Sequence, residues 1–152
     1  MSDTTALIRC DTCRQLNRVP LEKVVGKPLC GNCKSVLDIP KEPVWLKRGT
    51  FDRVLSTWPE TLLIEFTAPA SVFCKIVDPI VNNLALEKAG KLKVIKVDIE
   101  EDTYMAERFK IDKTPTFIVF KNSAEIMRVD GAPKEKTDLV KWVENTINLK
   151  SF

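Results

Sequence analysis

Two Cys-x-x-Cys pairs, Cys10–Cys13 and Cys30–Cys33, stand sixteen residues apart and decide how the start of this 152-residue chain can fold. That spacing fits a four-cysteine zinc site, in which two tight turns present four thiolates to one tetrahedral ion. Gly31 suits such a turn, because it lets backbone amides face a thiolate sulfur. Two disulfides, or two redox dithiols, are the competing chemistries for the same residues. The spacing and a reducing compartment favour zinc. The segment carries few apolar residues (Leu7, Ile8, Leu16, Val19, Val24, Val25, Leu29 and Val36), too few for a core of its own. Below about 40 residues a metal or disulfides usually supply the missing stability. One structural Zn²⁺ per chain, held by Cys10, Cys13, Cys30 and Cys33, is therefore expected. A closed tetrathiolate leaves no position at which water could be activated.

Composition narrows the chemistry further. The chain contains no histidine, so no histidine base, dyad or metal ligand exists. With 24 basic and 21 acidic residues interspersed, the net charge of +3 points to neither nucleic acid nor an anionic membrane. Arg9, Arg14, Arg18, Lys23, Lys27 and Lys34 make the first segment basic, but no aromatic residue before Trp45 could stack on a base. Met1 to Ile8 lacks the basic start and apolar core of a secretory leader, and no run is long enough to cross a bilayer. The expected compartment is the cytoplasm, where thiols stay reduced.

Pro40 and Pro43 lie among charged residues between Asp38 and Gly49, which marks a linker and divides the chain into 1–40 and 41–152. Val44 to Leu46 begins a strand, and Thr50 is placed to cap a helix over Phe51, Val54 and Leu55. Leu62 to Phe66 reads as a central strand interrupted by one acid, Glu65. A helix follows Ser71, with Ile76, Val77, Ile80, Val81 and Leu84 on its expected buried side and Pro79 inside it. Leu92 to Asp98 is the next strand, and Thr103 to Phe109 a short helix. Thr116–Phe120 and Glu125–Val129 form a hairpin turned at residues 121–124, and an amphipathic helix runs from about Thr137 to Ile147. This order implies an α/β fold with a mixed central sheet flanked by helices.

The segment from residue 41 onward resembles thioredoxin, and with the cysteine segment almost the whole chain resembles the zinc-ribbon thioredoxins of bacteria. Arg9-Cys10-Asp11-Thr12-Cys13, then Leu16-Asn17-Arg18-Val19-Pro20 and Leu29-Cys30-Gly31-Asn32-Cys33, resemble that family's ribbon. Ala68-Pro69 sits where the family has a proline before its redox turn, and Pro79 matches the proline of the following helix. Glu65 falls where thioredoxins carry a buried acid, normally aspartate, and Lys96 matches its lysine neighbour. Thr114-Pro115-Thr116 matches the cis-proline loop facing the redox turn, and Gly131 the glycine beyond the hairpin. The resemblance implies a thioredoxin fold and a protein thiol, disulfide or peptide partner.

The redox turn departs from the pattern. The family has Trp-Cys-Gly-Pro-Cys; this chain has Ala70-Ser71-Val72-Phe73-Cys74, with Thr67 in place of the upstream tryptophan. Ser71 stands where the attacking thiol belongs, and a hydroxyl neither ionises at neutral pH nor forms a disulfide. It can cap a helix. Cys74 holds the resolving position, either as a small core residue or as a single reactive thiol. Glu65 has two readings as well: a desolvated acid that exchanges protons with a thiol, or a carboxylate satisfied by Lys96. Two functions follow. One is a binding module that uses Val72, Phe73, Thr114, Pro115 and Gly131 without two-thiol turnover. The other is a thiol–disulfide oxidoreductase acting through Cys74 alone, or one in which Ser71 replaces a native cysteine.

Overall fold

The computed structural model describes residues 4–148, so residues 1–3 and 149–152 of the two expected domains lie outside it. Strands β1 (Thr5–Arg9) and β2 (Leu16–Pro20) pair antiparallel, and a short 3₁₀ turn covers Leu21–Lys23. Then follow β3 (Val44–Trp45), α1 (Phe51–Thr57), β4 (Thr61–Thr67), α2 (Val72–Glu87), β5 (Leu92–Asp98), α3 (Thr103–Arg108), β6 (Thr116–Lys121), β7 (Ala124–Asp130) and α4 (Lys136–Ile147). The main sheet has the order β3-β5-β4-β6-β7. β4 runs parallel to β5 and antiparallel to β6, and all seven of its residues are buried.

Alternation along β4 sorts the two layers. Leu63 points with Val94, Phe117 and Val119 toward α2 and α4, meeting Val77, Val81, Leu84, Leu139 and Val143. Leu62, Ile64 and Phe66 point the other way, toward α1 and α3. Phe51, Phe109 and Phe120 stack edge-on there with ring centroids 5.5–6.1 Å apart. Glu65 shares the parity of Leu63, so its carboxyl group belongs to the layer beneath α2.

The hairpin turns at Asn122 and Ser123, with φ of 53° and 64°, as a tight two-residue turn requires. Two details differ from expectation. Ile76 is 55% exposed, because the buried stripe of α2 is Cys74, Val77, Val81, Leu84 and Ala85, one step around the helix. Thr50 stands at the start of α1 without capping it; its hydroxyl donates to the Lys47 carbonyl at 2.6 Å, and its backbone is already helical.

The cysteine segment forms its core with borrowed atoms. Ala6, Ile8, Val19, Val24, Leu37 and Ile39 cluster with Ala89 and Trp58 of the larger unit. Leu16, Val25, Leu29 and Val36, counted among its few apolar residues, remain exposed. The Leu7 amide donates to the Glu60 carboxylate at 2.8 Å, and Lys91 pairs with the same carboxylate. Gly90, at φ +90°, lies where a Cβ would come 2.9 Å from Val24 Cγ1, so only glycine fits this approach.

Candidate functional site

The residues singled out in the sequence fall into two places. In the first, β1 and β2 flank the Cys10–Cys13 knuckle and a Leu29–Val36 bridge flanks the Cys30–Cys33 knuckle, and the four cysteine sulfurs lie within 4.8 Å of one another. Cys10 faces Cys33, and Cys13 faces Cys30, each with sulfurs 3.6 Å apart. Bonds of about 2.3 Å to a tetrahedral zinc would set sulfurs about 3.8 Å apart, so the geometry fits a metal. It does not fit disulfides, whose sulfurs lie about 2.05 Å apart.

The knuckles mirror each other. Arg14 N–H donates to Cys10 O and Lys34 N–H to Cys30 O, and both donors take positive φ, 70° and 68°. Hydrogen bonds from the backbone N–H groups of Cys33 and Asn32 and from the Asn17 side chain outweigh burial and bring the Cys30 thiol down to about 6. Asn32 N lies 3.4 Å from Cys30 Sγ and its side-chain amide 3.5 Å from Cys13 Sγ. These donors favour the thiolates that a metal requires. Sequence reasoning did not assign Asn17 and Asn32 this task, although both lie inside or opposite a knuckle.

The second place is the start of α2, at the carboxyl end of β4, where ligands of open α/β sheets bind. Ser71 is the N-cap: its Oγ accepts from the Cys74 amide at 3.3 Å and donates to the Thr114 carbonyl at 3.3 Å. The Thr114–Pro115 bond is cis, and Gly131 N–H donates to the Pro115 carbonyl at 2.8 Å. Ser71, Thr114, Pro115 and Gly131 are thus linked by two hydrogen bonds. Val72 and Phe73 are 64% and 59% exposed on the outer face of the turn, whereas Cys74 points inward and is 3% exposed.

Below the turn, Glu65 is fully buried and neither carboxylate oxygen has a hydrogen-bond partner. Burial pushes its pKa up to about 7, against the pull of Lys96 and with the push of Asp78. Lys96 does not satisfy Glu65, contrary to one of the two expectations. Lys96 lies opposite Glu65 in the β4–β5 register, but its ammonium pairs with Asp78 at 3.1 Å and packs 5.0 Å from the Trp45 ring centre. Asp78 was missed, although it lies one helical turn after Cys74, on the same face of α2.

The Thioredoxin family model covers residues 42–145. The chain belongs to the thioredoxin family. Its first segment matches the zinc-ribbon model described as Thioredoxin 2, N-terminal, over residues 9–35. Members of this family act on protein thiols and disulfides. Thioredoxin C-3 of Corynebacterium nephridii is 28% identical over 141 residues, spanning 93% of this chain and 95% of that one. Thioredoxin 1 of a Nostoc species is 34% identical over 89 residues, 59% of this chain and 83% of its own. The solved thioredoxin of Malassezia sympodialis superposes with a TM-score of 0.62 at 26% identity, over 72% of this chain and 96% of that one. A mutant thioredoxin from Halobacterium salinarum gives 0.66 at 24%, over 75% and 98%. No helix among the described residues is long and apolar enough to cross a membrane.

Proposed function

We propose that this protein holds an extended protein or peptide segment at the Ser71–Cys74 turn without carrying out two-thiol turnover. Ser71 is the observation that carries the reading. Disulfide exchange needs a thiolate to attack one sulfur of the substrate and a second thiol to displace the resulting mixed disulfide. Ser71 offers a hydroxyl already committed to two hydrogen bonds, and the chain has no histidine to activate it. Cys74 is buried behind it. Val72 and Phe73 would supply apolar contact, and the backbone around Thr114, Pro115 and Gly131 would pair with the bound segment in the manner of an added strand. A disulfide-reductase assay on a protein substrate, driven by a dithiol reductant, tests this. No rate above that of the reductant is expected; turnover like that of a two-cysteine thioredoxin would overturn the reading.

Glu65 favours a second reading. An unpartnered buried acid titrating at about 7 beneath the turn is equipped to exchange a proton with a thiol. In that reading the protein is a thiol–disulfide oxidoreductase, acting through Cys74 or with Ser71 standing for a native cysteine. Alkylation of Cys74 in native and denatured protein separates the two. Rapid labelling of native protein near neutral pH supports thiol chemistry; labelling only after denaturation removes the monothiol route.

For the ribbon we propose one structural Zn²⁺, held by Cys10, Cys13, Cys30 and Cys33 in a reducing cytoplasm. Metal analysis is expected to find one zinc per chain, and a chelator to unfold the ribbon. A fully folded, metal-free preparation would contradict it.

A further inference from the structure

Away from Ser71, a cavity of about 420 Å³ opens along the seam between the ribbon and the main sheet, over the edge strand β3. Four cationic side chains from separate parts of the chain line it: Arg14 of the first knuckle, Lys47 after β3, Arg53 of α1 and Lys93 of β5. Asp11 and Asp38 line it as well, leaving an excess of positive charge.

These four cations converge on one cavity without a carboxylate in salt-bridge contact. Neighbouring lysines find carboxylates: Lys88 with Glu144 at 2.9 Å, Lys91 with Glu60 at 3.3 Å and Lys96 with Asp78 at 3.1 Å. Among the described residues, Arg14, Lys47, Arg53 and Lys93 make no salt bridge. Lys93 is the most withdrawn of them, half-buried with its ammonium 5.6 Å from the Trp58 ring centre. Burial lowers its pKa even though Asp38 and Asp11 act in the opposite direction. Arg14, Lys47 and Arg53 are exposed at its mouth, whereas Lys93 is partly withdrawn from water without a contacting counter-charge, a cost that a bound anion relieves. Trp45, 57% exposed, adds an apolar wall.

We propose that the seam binds a small phosphate-bearing organic anion, with its phosphate among Arg14, Arg53 and Lys93 and its apolar part against Trp45. Two guanidinium forks beside an ammonium suit the several oxygens of a phosphate. The volume lies within the range of small-molecule sites, about 300–1,000 Å³. The proposal is independent of how the Ser71 turn works.

Calorimetric titration of the metal-loaded, full-length protein with phenyl phosphate, and separately with inorganic phosphate, tests it. One saturable site per chain is expected, tighter for phenyl phosphate and weakened by added salt. Lys93→Met and Arg53→Gln should each weaken binding about tenfold, as loss of one charge-assisted contact implies. Lys141→Met, on α4, should leave it unchanged. Arg14→Gln, at an exposed knuckle position, repeats the test should Lys93→Met disturb β5. Inorganic phosphate binding as tightly as phenyl phosphate would refute the place given to Trp45. No saturable binding of either probe, or equal weakening by Lys141→Met, would overturn the proposal.

Discussion

Replacing Glu65 with glutamine keeps the shape of the side chain and removes its charge, so it measures what the buried acid costs. In the folded protein Glu65 holds its proton up to about 7, compared with an ordinary value of 4.5. Below 4.5 the acid is neutral in both states and contributes no penalty. As pH rises from 4.5 to 7, the unfolded chain releases this proton first, so folding grows less favourable; above 7 the loss is complete. At about 1.4 kcal/mol per pH unit over that interval, the full loss is about 3 kcal/mol. Glu65→Gln should therefore match wild-type stability at pH 4.5 and exceed it by up to about 3 kcal/mol at pH 8.5. Urea unfolding of both metal-loaded proteins across this range reads the difference directly. Titration of the metal thiolates affects both proteins alike and cancels, and no histidine adds its own pH dependence. A gap between the two that stays constant with pH would refute the reasoning.

Ser71→Ala removes the N-cap of α2 and should lower stability by about 1 kcal/mol in denaturant unfolding; Ser71→Cys should instead confer reductase turnover, given Cys74 and Glu65. Arg14→Gly and Lys34→Gly relieve left-handed backbone at φ 70° and 68° and should each stabilise the ribbon by about 0.5–1 kcal/mol, read by chelator competition. Gly90→Ala forces a Cβ within 2.9 Å of Val24 Cγ1 at a strained φ of +90°. It should destabilise the protein by about 2 kcal/mol or more, with amide exchange rising first in β1 and β2.

Much of this fold could be read from local sequence. The apolar runs of β4 and β5, the hairpin and the cysteine spacing each bury or bind something whatever surrounds them. The errors arose where burial depends on a neighbour. Ile76 fits a helical apolar stripe as well as Val77 does, and only the packing of α2 against β4 and β5 selects Cys74, Val77 and Val81 for the inside. The resemblance put Lys96 beside Glu65, where the β4–β5 register aligns the two, but the choice of partner was decided by Asp78 reaching down from α2. Nor could composition show that the ribbon would complete its core with Ala89 and Trp58.

That shared core fixes a distance as well as a contact. The ribbon packs on Ala89 and Gly90, just past the last residue of α2, whereas Ser71 caps the first turn of the same helix. Sixteen helical residues at 1.5 Å each separate the two ends by about 24 Å. A short peptide lying on Val72 and Phe73 is therefore out of reach of the contact at Ala89 and Gly90. Only a partner broad enough to straddle the whole of α2 could touch both ends of the helix at once.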